Sequence, residues 1–265
     1  MKIKEIVSAL ERFAPLPLQD GFDNAGLQIG LTEAEATGAL LCLDVTEAVL
    51  DEAIALGHNL VISHHPLIFK GYKSITGKDY VERCILKAIK NDIVIYSAHT
   101  NLDNAYGGVN YKIAEKIGLK NLQVLEPKEN SLQDDLMQAG AGIVGELDEP
   151  ETELEFLKRI KKTFEVGCVR HNRLTGREIQ KVALCGGAGA FLLPQAIRAG
   201  ADVFITGEIK YHDYFGHEGD ILMAEIGHYE SEQYTKEIFY SIIRDLFPNF
   251  ALQLSKINTN PIKYL

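Results

Sequence analysis

The chain is poor in cysteine, in clustered positive charge and in long apolar runs. Its 265 residues hold four cysteines, Cys42, Cys84, Cys168 and Cys185, which are far apart and form no C-x-x-C pair, so a zinc ribbon and a dithiol redox motif are both excluded. Buried thiols are the expected state. Lys and Arg number 27 against 37 Asp and Glu, and no basic run exceeds the pair Lys161 and Lys162. A net charge of −10 without a basic stripe lacks the electrostatic footprint of direct nucleic-acid binding. No stretch approaches the roughly 18 uncharged apolar residues of a membrane span. Lys4, Glu5, Glu11 and Arg12 occupy positions where a signal peptide would need an apolar run. A cytoplasmic location is the expectation that follows.

What is present is an ordinary globular composition, 46% hydrophobic and 24% charged, enough for one large domain or two small ones. Ile3, Ile6, Val7, Leu10 and Phe13 share one helical face. Segments 39–45, 60–63 and 93–98 read as short buried strands, separated by helical patterns near 46–56 and 79–90. The later part repeats the alternation, with strands near 181–185, 202–206 and 221–226 and helices near 190–199 and 230–246. Such alternation predicts an α/β fold with a parallel-rich sheet covered by helices.

The two parts are also similar to each other. Residues 41–65 align without a gap on 184–208, with seven of 25 positions identical, among them Cys42/Cys185, Gly57/Gly200 and Ile62/Ile205. The next strands extend the match, DIVIYSAH at 92–99 facing DILMAEIGH at 220–228. The spacings His99-x-x-x-Asp103 and His228-x-x-x-Glu232 follow. The expected architecture is two related α/β halves, 1–126 and 127–265, that build one site between them. Within the second, 141–147 reads as a strand, 151–164 as a helix and 166–170 as a strand.

In open α/β sheets, ligands gather beyond the carboxyl ends of the strands. The residues expected there are His64 and His65, His99 to Asp103, Glu208, and His228 to Glu232. His58, His171 and His217 read instead as satisfied polar groups. Converging carboxylates need a cation to offset their repulsion. Neutral imidazole with carboxylate suits zinc, iron or manganese, and calcium would want oxygen alone. His64, His65, Asp103, His228 and Glu232 make five ligands, more than a single catalytic zinc takes from protein. Adjacent strand residues point to opposite faces, so His64 and His65 are expected to serve different ions. The expectation is two divalent ions that activate a water and clamp a phosphoryl or carbonyl oxygen.

His228 and Glu232, four apart, are expected on one helix face, whereas the Asn, Asp and Gly content of HTNLDNAYGGVN favours a loop around Asp103. His99 and Glu208 are the candidate proton carriers, although Glu208 also suits an ordinary helix N-terminal acid. Gly186-Gly187-Ala188-Gly189 lies where a phosphate loop would, but lacks the Walker lysine and the G-x-G-x-x-G spacing, and reads as a tight turn. No G-x-S-x-G elbow is present, which argues against a serine hydrolase.

GFDNAGLQIG (21–30), ISHHPLIF (62–69), SAHTNLDNAYGGVN (97–110), ITGEIKYHD (205–213) and GHYESE (227–232) together resemble the Nif-three-like family, whose bacterial members are named GTP cyclohydrolase 1 type 2 homologues. The resemblance implies the Nif-three-like fold and a dinuclear metal centre on His64, His65, Asp103, His228 and Glu232, with Glu232 as the bridge. It also implies a ring-shaped homohexamer with its metal sites facing the interior. The activity implied is hydrolysis of a small nucleotide or heterocyclic substrate, opening of the guanine ring of GTP. The alternative is a non-catalytic oligomeric metal-binding or scaffold protein. Family members commonly place Trp where this chain has Phe22, and many carry an inserted middle domain for which 127–180 is too short.

Overall fold

The computed structural model describes residues 1–128, 139–217 and 219–265, so part of the 127–180 stretch lies outside the described residues. In chain order the first elements are α1 (Ile3–Phe13), β1 (Gly26–Ile29), β2 (Ala39–Cys42), α2 (Glu47–Leu56), β3 (Leu60–Ser63), α3 (Tyr80–Lys90), β4 (Val94–Ser97) and the single helical turn α4 (Thr100–Asp103). Next come α5 (Val109–Ile117), β5 (Lys120–Pro127), β6 (Gly140–Thr152), α6 (Glu153–Thr163), β7 (Arg170–His171), β8 (Glu178–Cys185) and α7 (Leu193–Arg198). The chain closes with β9 (Val203–Thr206), β10 (Leu222–Glu225), α8 (His228–Glu232), α9 (Thr235–Leu246) and β11 (Leu252–Leu254).

These elements form two compact units. The first joins Met1–Leu102 to Thr235–Pro261, and the second joins Asp103–Tyr234 to Ile262–Leu265. The division therefore departs from the 126/127 boundary suggested by the repeat. Similarity between halves shows which segments are related, but not which later segment completes a sheet. Here β11 pairs with β2, Leu254 opposite Leu41, and draws the C-terminal region into the first unit.

The first unit carries a five-stranded sheet in the order β1-β4-β3-β2-β11, parallel except for the antiparallel edge strand β1. Leu40, Val61 and Ile95 on one side of it pack with Val49 and Ala53 of α2 and Ile85 and Ala88 of α3. Thr46 caps α2 by accepting from Val49 N at 3.3 Å, and Asp79 caps α3 by accepting from Glu82 N at 2.9 Å. α1 packs on α9, each burying one apolar stripe: Ile3, Ile6 and Leu10 on α1, and Ile238, Phe239 and Ile243 on α9.

The second unit has a six-stranded sheet ordered β5-β6-β8-β9-β10-β7. Its parallel centre β8-β9-β10 reproduces β2-β3-β4 with the register preserved. Leu41 faces Ile62, and 143 residues later Leu184 faces Ile205 (184 − 41 = 205 − 62 = 143). In each unit the third parallel strand then pairs with a short antiparallel edge strand, β1 or β7. One shared glycine has a local reason: Gly57 ends α2 at φ +68° and Gly200 follows α7 at φ +69°, the left-handed conformation that glycine adopts without a Cβ penalty.

Cys42, Cys84 and Cys185 are buried, as expected, but Cys168 is exposed. Burial pushes the Cys84 thiol up to about 11 and raises that of Cys42 further, so neither is poised as a thiolate at neutral pH.

Candidate metal centre

The carboxyl ends of the parallel strands carry the predicted residues, each set within its own unit. In the first unit β3 ends at Ser63. The next two amides, of His64 and His65, both reach the Leu43 carbonyl, at 3.1 and 2.9 Å. Strand alternation stops there, so the two rings do not diverge to opposite faces as the sequence suggested. Their centroids are 4.9 Å apart, and the His99 ring, delivered by β4, lies 5.2 and 5.4 Å from them. One ligand atom from each of His64, His65 and His99 falls within 4.8 Å of the others, a group able to hold a metal ion.

Each of these imidazoles is held by an oxygen at Nδ1. Buried His64 donates Nδ1–H to the Ala98 carbonyl at 2.9 Å. A carbonyl only accepts, so in the neutral ring the lone pair is on Nε2. His65 Nδ1 lies 2.7 Å from Asp44 Oδ1, and His99 Nδ1 lies 2.8 Å from Asp23 Oδ1. Burial pushes both carboxyls up, but hydrogen bonds outweigh it. Those from His65 and Thr259 hold Asp44 below the usual carboxylate range, and those from His99 and Thr100 hold Asp23 at about 2. Both are therefore acceptors at neutral pH, and the neutral tautomers of His65 and His99 also carry the lone pair on Nε2. A histidine fixed through one nitrogen by a carboxylate or carbonyl is the usual outer support of a metal ligand.

Thr100 to Asp103 form a helical turn, α4, where a loop was expected. Tertiary bonds override the local composition. Asp23 accepts from Thr100 N at 3.0 Å and from its hydroxyl at 2.5 Å, and Asn101 Nδ2 donates to the Ala14 carbonyl at 2.8 Å. Asp103 ends this turn, and its backbone carbonyl accepts from Asn110 Nδ2 at 3.1 Å.

In the second unit His228 and Glu232 lie on one face of α8, as their spacing predicts. His228 Nε2 is 3.1 Å from Glu232 Oε2, while Nδ1 is 2.8 Å from Glu208 Oε1. One imidazole thus stands between two carboxylates. If Nδ1–H donates to Glu208, the Nε2 lone pair faces a carboxylate oxygen, and only a proton or a cation between them makes that contact favourable. Imidazole and carboxylate together fit zinc, iron or manganese.

The glycines around this pair make room for it. A Cβ on Gly187, whose φ is +60°, would overlap Glu232 Oε1. Gly207, the repeat counterpart of His64, has His228 Cα 2.9 Å from where its Cβ would be, so the second unit has no space for a second histidine there. Gly186 N, Gly187 N and Gly189 N donate to Asn110, Ser231 and Thr206. The glycine-rich segment is thus a tight turn that packs on α8, and its amides are spent within the protein rather than on a phosphate.

The Duf34/NIF3 (NGG1p interacting factor 3) family model matches residues 1–261. The chain belongs to this family. Among its DUF34/NIF3 relatives, a Clostridium perfringens protein named GTP cyclohydrolase 1 type 2 homolog is 38% identical over 235 residues, 88% of this chain and 87% of that one. A Lactococcus lactis protein of the same name is 34% identical and covers 98% of each chain. The crystal structure of a Staphylococcus aureus hypothetical protein superposes with a TM-score of 0.90 at 32% identity, covering 100% of this chain and 99% of that one. The mixed α/β fold with two sheets is therefore that of the NIF3 proteins. Among the described residues, no helix is long and apolar enough to cross a membrane.

Sequence reasoning missed Asp44 and Asp23 as the groups that hold His65 and His99. Asp44 is 21 residues from His65 and Asp23 is 76 from His99, and no periodicity links such pairs.

Proposed function

We propose that this DUF34/NIF3 protein is a divalent-metal-dependent hydrolase of a small nucleotide or heterocyclic substrate, with two ions held by His64, His65, Asp103, His228 and Glu232. The observation that carries the reading is His228, placed between Glu208 and Glu232 so that a cation, or a proton in its place, is required. The Nδ1 support of His64 and His65 and the names of the bacterial relatives add to it. Divalent ions bound there supply Lewis acidity, which lowers the pKa of water and polarises a carbonyl or phosphoryl oxygen.

The chain's own residues have distinct tasks in this reading. Asp23 keeps the His99 Nδ1 proton in place, so His99 exchanges protons with substrate at Nε2. Glu208 orients His228 through Nδ1 and acts as a positioning residue. A ring-shaped homohexamer and a cytoplasmic location belong to the same proposal.

The test is GTP turnover by protein reloaded with Zn²⁺, Mn²⁺ or Fe²⁺. The expected result is metal-dependent turnover that falls by roughly a hundredfold or more in His64→Ala and Glu232→Ala. Equal turnover in chelator-treated protein, or no turnover across a panel of nucleotides by the loaded protein, would overturn the hydrolase reading. The second outcome would leave a non-catalytic metal-binding protein.

A further inference from the structure

A cavity of about 480 Å³ lies in the second unit beside the edge strand β7, lined by Arg170, His171, Asn172, Tyr211, Tyr214 and Phe215, among others. The volume is that of a small-molecule site. Tyr211 and Phe215 are 68% and 56% exposed, and adjoining exposed rings at a cavity, unlike a single one on an open surface, are a feature of binding sites. They meet edge to face at 5.2 Å. Arg170 supplies a cation to the wall, and among the described residues that line it there is no carboxylate.

The wall is also built rather than incidental. Glu225, behind it, accepts from Arg170 Nη1 at 2.7 Å, from the Tyr214 hydroxyl at 3.2 Å and from Ile209 N at 3.1 Å. Asn172 is fixed at both ends of its amide, donating to the carbonyl of Ile221 just before β10 and accepting from Met223 N within it, each at 2.9 Å. Rigid aromatic faces beside a guanidinium suit a flat aromatic ring that carries an anionic group. The cavity also lies near the candidate metal ligands. Tyr211 follows Glu208 by three residues, a span of at most roughly 11 Å, and Glu208 is hydrogen-bonded to His228.

We propose that this cavity binds a nucleotide, its base stacked on Tyr211 and Phe215 and its phosphate drawn to Arg170. The inference deepens the hydrolase reading and rests on it for the substrate class, but the binding itself requires no metal.

The test uses the full chain in EDTA, with guanosine monophosphate as the probe and guanosine and inorganic phosphate as separate arms, each titrated by calorimetry. Saturable binding of the monophosphate is expected, weaker for guanosine and weakest for phosphate. Tyr211→Ala and Phe215→Ala should each weaken it about tenfold. Arg170→Gln should remove the advantage of the monophosphate over guanosine. Glu232→Ala should bind the monophosphate as the unaltered protein does. Absence of turnover by the metal-loaded unaltered protein, with monophosphate binding intact, would therefore count against the hydrolase reading alone. Absence of saturable binding, or an affinity in both aromatic variants equal to that of the unaltered protein, would overturn the cavity proposal. So would a change in sedimentation of those variants without a change in affinity, which would make the aromatic patch a contact between copies of this chain.

Discussion

Replacing Phe204 by alanine is expected to destabilise the protein by about 3–5 kcal/mol. Phe204 sits in β9, a strand paired on both sides, opposite Ala183 of β8 and Met223 of β10. It is fully buried and packs with Leu192, Ala196 and Met223 in the core of the second unit. A central strand cannot move into the space that a lost ring leaves, so most of the cavity would persist and the cost should fall in the upper range for such changes. Phe191, 58% exposed, is the contrast: its alanine variant should change stability by no more than about 0.5 kcal/mol. Urea unfolding of both variants, read from the midpoint at constant slope, makes the comparison. A loss below about 1 kcal/mol at Phe204 would show that the core around β9 is not packed as described.

Removing the Asp44 carboxylate is expected to have the second large effect, on metal affinity. Asp44 follows β2 and holds His65 by Nδ1 at 2.7 Å. Its other oxygen is held by the Thr259 hydroxyl at 2.5 Å, so the carboxylate is fixed at both ends. Alanine at this position frees the ring to rotate and to place its proton on either nitrogen. The binding-competent tautomer and orientation then become one state among several. Loss of such a support lowers metal affinity about 10- to 100-fold. Competition with a chromophoric chelator measures it, and an affinity equal to that of the unaltered protein would show that His65 needs no help from Asp44.

Much of this was legible in the residues themselves. The 143-residue offset seen between 41–65 and 184–208 reappears as an identical strand register, because buried parallel strands leave their apolar runs plainly in sequence. The i, i+4 spacing of His228 and Glu232 gave their helix face for the same local reason. What could not be read depends on distant partners. The edge strands β1 and β7, the helix α5 and the return of α9 and β11 to the first unit carry weak local patterns and are fixed by what they pair with. The helical turn at α4 exists because Asp23, from 77 residues away, binds Thr100. His64 and His65 share one side because two amides reach a single carbonyl, a detail no alternation rule contains.

Two divalent ions on His64, His65, Asp103, His228 and Glu232, as proposed, would be counted by metal analysis of the intact chain. Protein purified without chelator, or reloaded with Mn²⁺, Fe²⁺ or Zn²⁺ and desalted, is measured by elemental mass spectrometry alongside Glu232→Ala. About two ions per chain are expected in the unaltered protein and a clear loss in the variant. Less than one ion per chain after reloading, or the same content in Glu232→Ala, would contradict it.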